Sequence, residues 1–159
     1  MPTAVAIFSA LLKQDNHDVK LFDTTYWEFP EEGVINHDKY KAATLQVQPY
    51  QKPKKEVPLY TTNVYEDFNQ EVADYEPDLI ACSATEDLFP YAIKLLRNLR
   101  TKGKAKTILG GVFATFAPDK AIQPIEIDMI FLGEGEYPLL ELCKRLDKAW
   151  GSVIPKRVF

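Results

Sequence analysis

Apolar and polar positions change period several times along the chain, and each change marks an element. Residues 3–15 (TAVAIFSALLKQD) place apolar side chains at helical spacing, with Thr3 as the N-cap. Residues 18–23 (DVKLFD) alternate as a strand does and end on an acid. Periodicity is then lost over 24–62, where Pro30, Pro49, Pro53 and Pro58 sit among many aromatics. Connections in compact domains usually run about 4–6 residues, so this stretch predicts a structured insertion or a functional lid. A helix is predicted over 64–75, capped by Asn63, and a strand over 78–84, opened by Pro77. The clearest helix is 87–102, with Ala92, Leu95, Leu96 and Leu99 on one stripe and Gly103 as its stop. A buried strand at 106–109, a short helix at 118–123, a strand at 127–132 and an amphipathic helix at 137–150 complete the pattern.

Strands that alternate with helices, several of them almost wholly apolar, predict a parallel sheet covered on both faces. The fold class is therefore α/β. Residues 1–150 form the domain, with 24–62 as an irregular insertion, and 151–159 read as a tail or linker. Domains of this kind normally open on a strand that becomes central in the sheet. This chain opens on a helix, so its first strand is missing. Two outcomes are expected: a truncated chain, or a sheet repaired by direct pairing of the neighbouring strands or by the tail 152–159.

Size and charge narrow the function. A chain of 159 residues is long enough for one real core. Its hydrophobic fraction of 46% and charged fraction of 26% are those of a globular protein. The net charge of −4 argues against nucleic acid as a partner, since phosphate binding needs a basic face. Lys52, Lys54 and Lys55 read as a solvated loop cluster. No apolar run approaches the roughly 20 residues of a membrane span, and the first residues lack a signal-peptide pattern. Cys82 and Cys143 have no metal-ligand spacing and read as buried small hydrophobes of a reducing cytoplasm.

The chemistry is written at the strand ends. TILGGVFATFAP (107–118) runs an apolar strand straight into two glycines and a hydroxyl-bearing turn, and DMIFLGEGE (128–136) repeats that grammar. Glycines at the carboxyl end of a buried strand let backbone approach a bulky ligand, and ligands of open α/β sheets bind along that edge. Gly110, Gly111 and Thr115 belong to the first turn; Gly133, Glu134 and Gly135 belong to the second. Ser83, Thr85, Glu86 and Asp87 follow the strand before them. Their hydroxyls can donate to a phosphate, amide or ring nitrogen, while Thr85 or Asp87 can equally cap the next helix. Glu136 can serve the first turn of the last helix through its macrodipole. Neither GxGxxG nor GxxxxGK[ST] is present.

Catalytic constellations are poor. His17 and His37 lie far apart and pair with no nucleophile motif, and HExxH, CxxC and CxxxCxxC are all absent. Glu134 and Glu136 read better as solvated or capping carboxylates than as an acid–base pair. No catalytic residue and no metal ligand is assigned to the chain. It reads as a binder.

The segments NHDVKLFDTT (16–25), VYEDF (64–68), PDLIACSATEDLFP (77–90), ILGGVFATFAPDKAI (108–122) and DMIFLGEGEYPLLELCKRL (128–146) together resemble the cobalamin-binding domain at the amino terminus of many radical S-adenosylmethionine proteins. GGVFATFAP followed by GEGE is the most specific part. The resemblance implies a flavodoxin-like (Rossmann-like), mostly parallel sheet with helices on both faces, lacking its first strand, that takes cobalamin's nucleotide tail at its carboxyl edge. It implies that Ser83 and Thr85 contact the tail, that Gly110, Gly111, Val112 and Phe113 line its slot, and that Gly133, Glu134 and Gly135 close the other side. The implied partners are cobalamin and a radical S-adenosylmethionine domain; neither nucleic acid nor a membrane is expected, and an oligomer is left open. The sequence departs from the family in lacking the opening strand and the DxHxxG-type loop that would bring an axial histidine. Asn16 stands where glycine is usual, a mild change because asparagine tolerates left-handed turns. The CxxxCxxC of an iron–sulfur cluster is not on this chain. A degenerate or regulatory flavodoxin-like domain without cofactor is the alternative.

Overall fold

The computed structural model describes residues 3–27, 59–100, 105–150 and 157–158. Most of the insertion 24–62, the helix stop at Gly103 and His37 lie outside the described residues. Helix α1 (Thr3–Gln14) leads into β1 (Asp18–Val19) and a 3-10 turn (Thr24–Tyr26). Then follow α2 (Val64–Tyr75), β2 (Leu79–Ser83), α3 (Phe89–Arg97) and β3 (Lys106–Gly110). Helices α4 (Val112–Phe116) and α5 (Pro118–Ala121), β4 (Met129–Ile130), α6 (Glu136–Trp150) and β5 (Arg157–Val158) complete the order.

Local chemistry sets several boundaries. Asn63 caps α2 as its position predicts, its Oδ1 accepting from the backbone N–H of Tyr65 at 2.9 Å and of Glu66 at 3.3 Å. Asn16 stops α1 in the left-handed region at φ 61°, which asparagine tolerates. The residues GVFAT, read as an open turn, instead continue into the short helix α4. Helix α3 starts at Phe89, with Leu88 in the cap position and no side-chain cap, so neither Thr85 nor Asp87 caps it. Of the alternating residues 18–23, only Asp18 and Val19 are paired.

All five strands are parallel, in the order β1-β5-β2-β3-β4. The central place between β1 and β2 is taken by the two-residue strand β5 from the chain's last turn of sequence. Of the expected tail 152–159, residues 157–158 thus supply a strand of the sheet. Arg157 C=O accepts from Asp78 N–H at 2.9 Å, Val158 C=O accepts from Lys20 N–H at 3.0 Å, and Arg157 N–H donates to Asp78 Oδ2 at 3.0 Å.

Period-2 alternation sends neighbouring residues to opposite faces. Leu79 and Ile108 join Leu12, Leu139, Cys143 and Val158 under α1 and α6. Ile80 and Leu109 join Val64, Phe68, Leu96 and Phe113 under α2, α3 and α4. Helices on both faces of a parallel sheet make this a flavodoxin-like α/β fold. Thr107, fully buried at the start of β3, donates its N–H to Asp128 Oδ2 at 2.8 Å and its hydroxyl to the Glu126 carbonyl. That bond set fixes β4 beside β3 and so places the two glycine-bearing turns side by side.

Candidate functional site at the carboxyl edge

Because β2, β3 and β4 run in parallel, Ser83, Gly110 and the Gly133 turn all emerge at one edge of the sheet. Gly111 is the tightest point. It sits at φ 94°, where an L side chain is strained, and a Cβ there would lie 3.0 Å from Ser83 Oγ and 3.2 Å from the Ala84 carbonyl. Gly110 before it faces open space within 4 Å. The edge therefore carries a stretch of bare backbone walled by the Ser83 hydroxyl.

Thr115 joins the two turns. Its hydroxyl donates to the Gly111 carbonyl at 3.0 Å and accepts from Gly133 N–H at 3.0 Å. Gly133 itself has φ 73°. Glu134 is exposed, and Gly135 is buried against α1, where a Cβ would come within 3.1 Å of the Phe8 ring. Gly135 thus lets α1 and the start of α6 approach, and its carbonyl accepts from Leu139 N–H at 2.9 Å.

The remaining predicted residues divide between rim and floor. Thr85 and Glu86 are exposed in the turn after β2; the Thr85 hydroxyl is turned onto Asp87 Oδ1, and its carbonyl accepts from Phe89 N–H at 2.9 Å. Val112 is exposed on the first turn of α4. Phe113 is buried below it, its ring centroid 4.5 Å from that of Phe89.

The edge also carries apolar side chains that sequence reasoning passed over. Phe116 is 83% exposed and Tyr137 82% exposed, with Leu132 and Leu88 also on the surface. Phe116 lies four residues after Val112 on α4, a helical spacing that would have flagged it beside Val112 had 112–116 been read as helix.

Two groups sit away from this role. His17 precedes β1, at the opposite end of the parallel strands from Ser83 and Gly110. It is buried with neither ring nitrogen hydrogen-bonded, although Asp15 Oδ2 lies 3.4 Å from Nε2. Cys82 is half-buried one residue before Ser83, and burial pushes its thiol up to about 12, so it stays protonated. Among the described residues no cluster of His, Cys, Asp and Glu can hold a metal ion, and no helix is long and apolar enough to cross a membrane.

Residues 46–143, from the end of the insertion to α6, match the B12 binding domain family. The chain belongs to that family. In this B12 binding domain, the matched span contains every one of the predicted edge residues, and leaves out α1, β1 and β5. No curated protein matches the chain. A solved structure, the N-terminal domain of a hypothetical protein from Thermotoga maritima, is similar over 88% of this chain and 97% of that one, at 16% identity and a TM-score of 0.40.

Cobalamin is the ligand that family membership supports. At this edge Gly111 packs too closely on Ser83 and Ala84 to carry a Cβ, and Gly110 beside it faces open space.

Proposed function

We propose that this domain holds cobalamin by its nucleotide tail at the carboxyl edge, as the cofactor-binding module of a radical S-adenosylmethionine type enzyme. The observation that supports the binding reading is Gly111, whose φ of 94° disfavours a side chain and whose Cβ would lie 3.0 Å from Ser83 Oγ, so that bare backbone stands at the edge. In this reading Ser83 and Thr85 donate to the tail, and Gly110, Gly111, Val112 and Phe113 make its floor. Gly133, Glu134 and Gly135 close the far side, Thr115 locks the two turns together, and Glu86 stands at the rim. When bound, cobalamin supplies methyl-transfer or radical chemistry from its cobalt. The chain's own residues bind and orient. His17 lies at the other end of the strands and is given no part in this reading. The radical context rests on the GGVFATFAP and GEGE segments and on their resemblance to that family.

The test is direct. The purified chain is mixed with hydroxocobalamin, passed through gel filtration and scanned in the visible range. The protein peak retains corrin absorbance, and Gly111→Trp loses it; a colourless wild-type peak overturns the binding reading. Titration calorimetry of the loaded chain against a purified radical S-adenosylmethionine domain tests the context. Absence of saturable heat there removes the radical partner and leaves the cobalamin assignment standing.

A further inference from the structure

The residues after β1 build a second cleft with α2, and none of them belongs to the carboxyl-edge turns. A cavity of about 480 Å³ is walled by Tyr26, Trp27 and Tyr60 and by Asp67, Gln70 and Glu71 of α2. That is the size of a small-molecule site. Its aromatic wall is fixed by backbone: Tyr60 N–H donates to the Tyr26 carbonyl at 2.8 Å, and Trp27 pairs with Tyr60 as a parallel bridge. The Tyr26 and Tyr60 rings stand 6.3 Å apart and 74° to each other, which makes a corner. Trp27 supports it, its ring centroid 4.5 Å from that of Tyr60 and 4.7 Å from that of Phe22. Both tyrosines remain accessible, Tyr26 at 41% and Tyr60 at 57% exposure.

The charge around this corner is negative. Asp23, Asp67 and Glu71 line the cavity with one cation, Lys20, which is paired with Glu71 and lies 5.7 Å over the Tyr75 ring. Asp23 Oδ1 accepts from the Thr25 hydroxyl at 2.6 Å and the Thr25 N–H at 3.1 Å, and these bonds hold its carboxyl below the usual range. Asp67 Oδ2 accepts from Trp27 Nε1 at 2.7 Å and from the Thr62 hydroxyl. Those donors are all neutral, and no described lysine or arginine pairs with Asp23 or Asp67.

We propose that this cavity binds a small organic cation through an alkylated ammonium group. The faces of aromatic rings are negative and hold a cation placed over them. Two rings set at a steep angle touch a rounded ammonium from two sides, whereas a flat guanidinium would stack on one of them. A metal ion needs a shell of oxygens, and among the described residues no group of His, Cys, Asp and Glu can hold one. The charges of Asp23 and Asp67, unmatched by a described cation, add direct attraction and raise the local concentration of cations. The inference is independent of cobalamin.

The experiment titrates choline into the isotope-labelled full chain at constant ionic strength and follows it by heteronuclear NMR. The Trp27 indole N–H and the Tyr60 amide shift and saturate. Neohexanol, which has the same shape without the charge, binds at least about tenfold more weakly. Tyr60→Leu weakens choline binding at least about threefold, and Asp23→Asn, which can still accept from Thr25, weakens it as well. No saturable shift with choline, or equal binding of neohexanol, overturns the proposal. Cosedimentation with phosphatidylcholine vesicles that free choline competes away would assign the cavity to a lipid headgroup and overturn the small-cation reading. The neohexanol comparison serves even if Tyr60→Leu fails to fold.

Discussion

Gly133 N–H donates to Thr115 Oγ1 at 3.0 Å, and the same hydroxyl donates to the Gly111 carbonyl. One threonine thus ties the turn after β4 to the turn after β3. Thr115→Val keeps the shape and removes both bonds. At about 0.5–1.5 kcal/mol net for each bond, the variant loses about 1–3 kcal/mol in urea unfolding. Its affinity for hydroxocobalamin falls further than its stability alone would dictate, because the two walls are no longer held in register. Equal stability and equal affinity to wild type would show that the bond set is incidental.

Adjacent glycines make a paired prediction. Gly111→Ala places a side chain at φ 94° and 3.0 Å from Ser83 Oγ, and costs about 1–3 kcal/mol of stability for the backbone strain. Gly110→Ala meets nothing within 4 Å and has an ordinary backbone. It leaves the unfolding midpoint unchanged or raises it by the equivalent of about 0.4–1 kcal/mol, because alanine restricts the unfolded chain. Similar melting curves for the two variants would mean that Gly111 relaxes.

Much of this was legible in advance, for identifiable reasons. Asn63 and the stripe of α3 are local signals, set by caps and period, and the structure repeats them. Leu79 against Ile80, and Ile108 against Leu109, divide between the two cores as near-continuous apolar strands of a covered sheet must. Ser83, Gly111, Thr115 and Gly133 could be named singly from strand ends. Their mutual bonds could not, because register between distant segments leaves no mark in either. The place of Arg157 and Val158 between β1 and β2 left no such mark, because two residues are too short for any periodicity to announce.

Alkaline pH should destabilise the domain through two groups whose acidity is suppressed by folding. Burial raises Cys82 from 9.0 to about 12. Burial, then the charge of Asp18, raises Tyr75 from 10.0 to about 12. Each is more acidic in the unfolded chain, so its contribution is complete below the unfolded value and is lost as pH rises toward 12. Urea midpoints therefore fall between about pH 9 and about pH 12, and Cys82→Ala flattens the earlier part of that fall. The same burial leaves Cys82 unreactive toward a thiol reagent near neutral pH in the folded state. Rapid labelling without unfolding would contradict it.

Strand β5 is a small cooperative unit whose removal can be observed locally. Burying Val158 contributes about 1.5–3 kcal/mol, and ordering each residue's backbone costs about 1–2 kcal/mol, so the hydrogen bonds of Arg157 and Val158 decide whether the strand stays. In Val158→Asp a carboxylate would have to enter the core beside Leu12 and Leu139, and leaving the sheet is cheaper. Hydrogen exchange then accelerates at Lys20 and Asp78, whose N–H groups donate to Val158 and Arg157. Amides between β2 and β3 keep their protection, because that ladder spans five residues and does not involve the tail. If protection collapses across β2 and β3 together, then the two tail residues hold the whole sheet rather than one lane of it.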